Sequence, residues 1–107
     1  RTLRRAGLEQ HVVPIVAPSA RAARHWQTPL GLVFIDGGHS EAAAQTDYRA
    51  WAPKVAPGGV LAIHDIFPDP ADGGQAPYNI YQRALASGLF EASAMVGTLG
   101  CLRRLDL

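Results

Sequence analysis

Two short stretches of this sequence carry residues that could do chemistry together. In the first, the apolar run Leu32-Val33-Phe34-Ile35 ends in Asp36, followed by Gly37, Gly38, His39 and Ser40. In the second, Val60-Leu61-Ala62-Ile63 follows Gly58-Gly59 and ends in His64 and Asp65. Two carboxylates and an imidazole at neighbouring strand ends would make a donor set for a divalent metal. His39, just past Asp36, could act as a general base near neutral pH. Plainer readings stand beside these: Asp36 and Asp65 as polar terminators of buried strands, and His39 as an exposed loop histidine. On spacing alone the plainer readings are preferred.

The elements around these residues must bring the two stretches side by side. Apolar runs without alternation suit strands buried on both faces of a parallel sheet. An ionisable residue at the end of such a strand lies where open α/β sheets bind ligands. The pattern predicts the end of a helix over residues 2–8 and a strand over 11–16, placed at an edge because Pro14 cannot donate to a central ladder. A helix follows to about His25 or Trp26, with Ser19 as a plausible N-cap. Residues 30–36 form a buried strand. Ser40 caps a helix over residues 41–52 that turns Ala44, Tyr48 and Trp51 to the sheet and stops at Pro53. Ala56-Pro57-Gly58-Gly59 reads as a turn before the strand 60–63. Residues 66–77, rich in proline, read as an ordered loop of the kind that carries function. A helix over 78–87 and an antiparallel hairpin, 90–96 with 99–105, complete the chain. This alternation is α/β with a mainly parallel sheet. Consecutive strands are usually neighbours, about 4.8 Å apart. Asp36, His64 and Asp65 could then converge on one ion or ligand.

Composition sets the bounds. The 107 residues allow one domain, 48% of them hydrophobic and 18% charged. A net charge of +1 with scattered arginines gives no reason to expect nucleic acid. No apolar run approaches the roughly 18 residues needed to cross a membrane, and no signal peptide is visible. The single cysteine, Cys101, excludes an internal disulfide and suits a reducing, cytoplasmic compartment. The chain opens inside a helical pattern without methionine, so a fragment lacking its beginning is expected.

Phe34-Ile35-Asp36-Gly37-Gly38-His39-Ser40, the helix bearing Asp47 and Trp51, and Pro57-Gly58-Gly59-Val60-Leu61-Ala62-Ile63-His64-Asp65 together resemble class I S-adenosylmethionine-dependent methyltransferases. Within them the sequence is most similar to the small-molecule O-methyltransferase branch that includes catechol-type and macrolide-sugar enzymes. The resemblance runs from about Leu3 to Leu105. It implies a Rossmann-like methyltransferase sheet, mainly parallel with a C-terminal antiparallel hairpin and lacking the N-terminal strands, so that residues 1–107 are one partial domain. It implies S-adenosylmethionine as cofactor, with or without a divalent metal, and a hydroxyl of a small molecule as methyl acceptor. Carried over by position, Asp36 matches the metal-binding acid at the end of the family's fourth strand, beside the cofactor. His64 and Asp65 match the ligand pair closing the fifth. His39 falls where catechol-type enzymes place a lysine base, and Ser19 where a serine meets the adenine.

The departures are specific. Histidine at position 64 adds a nitrogen ligand, which favours manganese, iron or zinc over magnesium, or no metal at all. His39 changes the reach and pKa of the base, and Pro18 is unusual beside Ser19. The family's glycine-rich loop and ribose-binding acid are absent. The two strands carrying them separate the family's third strand from its fourth, so residues 11–16 are expected to lack a neighbour. The 107 residues alone are expected to bind S-adenosylmethionine weakly or not at all. Two rivals remain: a metal-dependent oxygenase using Asp36, His64 and Asp65, and a noncatalytic α/β binding module. The loop 66–77, with Tyr78 and Tyr81, is expected to border the acceptor pocket. The sequence leaves the acceptor unnamed and the oligomeric state open, a homo-oligomer included.

Overall fold

The computed structural model describes residues 12–15, 29–35 and 40–106. Their strands form one sheet in the order β1-β2-β3-β5-β4. Strand β1 is Val12–Ile15, β2 is Leu30–Ile35 and β3 is Val55–Ile63; β4, Phe90–Val96, and β5, Leu99–Arg104, form the closing hairpin. Strands β1, β2 and β3 run parallel, and β5 lies antiparallel between β3 and β4. Because β5 opposes both neighbours, every other strand points the same way. The mainly parallel sheet with a C-terminal hairpin is thus as expected.

Among the described residues, two α-helices connect these strands. Helix α1, Glu41–Trp51, begins where Ser40 accepts a hydrogen bond from the Ala43 amide at 3.1 Å. That bond satisfies one of the amides that a helix start leaves without a partner. Pro53 converts the end of α1 into a short 3-10 turn over Ala52–Lys54. Helix α2 runs over Ala76–Ala86. It starts two residues before the position expected from sequence, because Pro77 occupies the first turn, where no amide is needed.

Both helices pack on the same face of the sheet. Val33, Leu61 and Leu102 stand in register across β2, β3 and β5, as do Ile35 and Ile63. These residues share one buried cluster with Ala44, Tyr48 and Trp51 of α1 and Ile80, Tyr81 and Ala84 of α2. The opposite face carries Leu32, Phe34 and Val60, all half-buried. The helices run side by side in the same direction. Asn79 donates to Glu41 at 2.8 Å, and one turn further along Arg83 donates to Gln45.

Two findings differ from the sequence reading. Residues 56–59 are part of β3 rather than a turn before it. Leu30 pairs with Val55 and Leu32 with Val60, so the extra residues of β3 form a bulge. Pro57 sits in that bulge, and Gly58 takes a φ of 82° that other residues rarely adopt. At Gly59 a Cβ would lie 2.9 Å from the Ala56 carbonyl oxygen and 3.0 Å from that of Gly31. The second difference concerns β1, which has a neighbour after all. It pairs with β2 from Val12 opposite Leu32 to Ile15 opposite Ile35. The outer edge of β2 offers unpaired amides and carbonyls, and a β-branched strand satisfies them. β1 is an edge strand among the described residues, as Pro14 requires.

Candidate active site

The tips of β2 and β3 lie together, as Ile35 is paired with Ile63 and the His64 amide donates to the Ile35 carbonyl at 3.1 Å. This bond carries the ladder one residue beyond β3 and fixes where the His64 side chain leaves the sheet. It emerges beside Phe34, with ring centroids 6.4 Å apart. Its Nδ1 lies 3.0 Å from Asp65 Oδ1, and the two side chains are 44% and 38% exposed. They are therefore reachable from solvent while tied to a rigid strand end.

Asp65 has φ 65°, the single non-glycine residue with positive φ among those described. Left-handed backbone costs an L-residue about 1–2 kcal/mol. Such outliers persist where surrounding structure over-determines them. Here the constraint comes from Ile66. Its amide donates to the Thr98 carbonyl in the β4–β5 turn at 2.9 Å, and its side chain is buried in the core. Gly100, opposite Ile63, leaves room for this: a Cβ there would stand 2.8 Å from the Tyr81 ring and 3.2 Å from Ile66. The hairpin turn thus holds the strand tip in place from the side.

The segment after Ile66 is ordered by its own bonds. The Asp69 carboxylate accepts from the Ala71 amide at 2.9 Å, and Gln75 donates to the Phe67 carbonyl at 2.5 Å. Glu41 stands at the start of α1 and accepts from both Asn79 and Gln45. These bonds, Asn79's first, hold its carboxyl below the usual value.

Of the sequence-derived candidates, the structure places His64 and Asp65 together at the tip of β3. Asp36, His39 and Ser19 lie outside the described residues. Among those described, no group of three metal-binding side chains forms. His64 and Asp65 fit a metal as one nitrogen and one oxygen donor, the remainder of the expected set being Asp36. Tyr81 belongs to the buried core, at 8% exposed, whereas Tyr78 is half-buried. Sequence reasoning missed the Asn79–Glu41 clamp and the Thr98 carbonyl. It also missed Gly100, whose one signal was a glycine inside a strand pattern, a mark of close approach.

A mainly parallel sheet with an antiparallel strand inserted beside its third, and polar ligand-type residues at that strand's tip, defines a class I S-adenosylmethionine-dependent methyltransferase fold. The chain belongs to the methyltransferase-domain family, whose model matches residues 1–66. Similar solved structures agree on the fold. MycE methyltransferase from the mycinamycin biosynthetic pathway, in complex with Mg, SAH and mycinamycin VI, shares 21% identity at a TM-score of 0.58. A second MycE structure, with Mg and SAH, shares 24% at 0.55. Each match covers 81% of this chain and 28% of MycE. A Clostridium thermocellum protein provisionally named an rRNA-methylase matches 98% of this chain and 64% of its own, with 14% identity and a TM-score of 0.51. No described helix is long and apolar enough to cross a membrane.

Proposed function

We propose that this domain takes part in S-adenosylmethionine-dependent methylation of a hydroxyl on a small molecule, and that it supplies the acceptor-facing side of the site. The observation that carries this is the His64–Asp65 pair, held at 3.0 Å on the tip of β3 directly beside the tip of β2, in a chain of the methyltransferase-domain family. The MycE complex, with its small-molecule ligand and magnesium, supports the choice of acceptor and of a metal.

In this reading the bound cofactor would supply a sulfonium methyl group, and a metal would lower the cost of forming an oxygen nucleophile. The chain's own residues do the rest. Asp36, His64 and Asp65 would hold the metal and orient the acceptor, and Asp65 would fix the imidazole of His64. His39 takes the hydroxyl proton as the oxygen–methyl bond forms and the sulfur–methyl bond breaks. Positioning supplies much of the acceleration.

The test is transfer of a labelled methyl group to catechol-like and sugar hydroxyls by the protein as its gene encodes it. Asp65→Asn should lower turnover about 10- to 100-fold, the scale of losing a ligand-orienting group, and chelation should lower it as well. Turnover unchanged by both treatments would overturn the proposal. Calorimetry on the 107 residues should find weak cofactor binding or none.

A further inference from the structure

The other end of the sheet holds a groove that the methyl-transfer reading does not use. It lies between the last turns of α1 and α2 and the amino end of the hairpin, and has a volume of about 450 Å³. Tyr48, Leu89 and Phe90 are among its apolar residues, and Arg49, Arg83 and Arg104 bring charge to it. No acidic residue lines it, nor the neighbouring groove beside Pro53 and Pro57, which shares Arg104 and adds Lys54. In a chain whose net charge is only +1, this is a local concentration of cations.

Two of the arginines have an ordinary explanation. Arg49 and Arg83 stand in the last turns of their helices, where a cation complements the helix dipole. Arg83 also lies 4.8 Å over the Tyr48 ring. Arg104 is different, for it sits on a strand. One of its terminal nitrogens, Nη1, donates to the Val55 carbonyl at 3.0 Å, and its guanidinium lies 5.9 Å from the Phe90 ring centroid. Its Nε is buried without a hydrogen-bond partner. A guanidinium that the protein pairs only in part favours an anion beside it, met by the face of the group that the groove exposes rather than by the buried Nε.

We propose that this groove binds a small amphipathic carboxylate, its flat apolar body against Phe90, Leu89 and Tyr48 and its carboxylate accepting from Arg104. Aromatic walls with few polar groups are the usual make-up of small-ligand sites, and the volume is in their range. Planar guanidinium groups match a carboxylate better than a lysine would. Helix α1 spans eleven residues between the two ends of the sheet, about 16 Å at the helical rise. The ligand would therefore not touch the reacting atoms, and the site is independent of the acceptor.

The experiment titrates the purified chain with naphthoate, with the neutral naphthalenemethanol, and with inorganic phosphate, following the Nε–Hε resonance of Arg104 by NMR. Naphthoate should give a saturable shift of that resonance. The other two should bind at least about tenfold more weakly, each lacking either charge or apolar body. Arg49→Gln, on an exposed side chain, should weaken naphthoate binding severalfold, and Leu89→Glu should abolish it by placing a tethered carboxylate in the groove. Binding of the alcohol as tightly as naphthoate would overturn the proposal. So would an Arg104 resonance that stays still while others move, or the lack of a saturable shift.

Discussion

The two ends of this sheet are made from the same strands and handle polar groups in opposite ways. At the carboxyl end His64 and Asp65 are presented outward on a strained backbone, with Asp65 at φ 65° and held by Ile66 and Thr98. At the amino end, guanidinium groups are folded against aromatic rings, Arg83 on Tyr48 and Arg104 near Phe90. The helices explain the contrast. Each one starts near the carboxyl end and finishes near the amino end, where its last turn closes over the core. Strained backbone with exposed polar side chains therefore collects at one end and cation packing at the other.

Four measurements probe the contrast between the two ends. The largest effect is expected at the closed end. Trp51 is 1% exposed in the core where α1 ends, so Trp51→Ala should cost about 3–5 kcal/mol in urea denaturation. At the open end Gly100→Val should cost about 1–3 kcal/mol by overpacking. It should also shift the Ile66 and Asp65 amide resonances, because Tyr81 and Ile66 have nowhere to go. If those resonances stay in place, the hairpin does not hold the strand tip.

Asp65→Gly is the most direct test of strain. Removing the Cβ at φ 65° should raise stability by roughly 1 kcal/mol while methyl transfer falls. A loss of stability instead would mean that the His64–Asp65 contact outweighs the backbone cost. The smallest effect concerns the Asn79–Glu41 clamp. Glu41 has its pKa lowered from 4.5, chiefly by the Asn79 hydrogen bond. A depressed carboxyl contributes stability above its unfolded pKa and loses it as pH falls through the folded one. Asn79→Ala should thus lower stability at neutral pH by a few tenths of a kcal/mol at most, since the pair is solvent-exposed. The difference from wild type should vanish once acid protonates Glu41, as thermal unfolding across that range would show.

Much of the local structure was legible because it is written within a few residues. Ser40 before an apolar-periodic stretch announced the start of α1, and Pro53 its end. Gly97-Thr98 between two β-rich runs announced the hairpin. The adjacency of the two strand tips followed from chain order, so the placement of His64 and Asp65 beside β2 was readable in advance. The family was readable too, from the glycine-flanked acid motifs, and residues 1–66 match its model.

What the sequence determined by itself, then, was element type, the neighbouring of β2 and β3, and the residue types at their tips. These depend on side-chain periodicity, capping and turn chemistry, all short-range. Only the tertiary structure decided that β5 enters between β3 and β4, that residues 56–59 extend β3 as a bulge, and that β1 takes the outer edge of β2. It alone brought Arg104 to the Val55 carbonyl and left its Nε unsatisfied. The strain at Asp65 belongs here as well. Strand pairing and backbone strain are settled by which edges and cavities remain once every element competes for the same core, and no local pattern encodes that outcome.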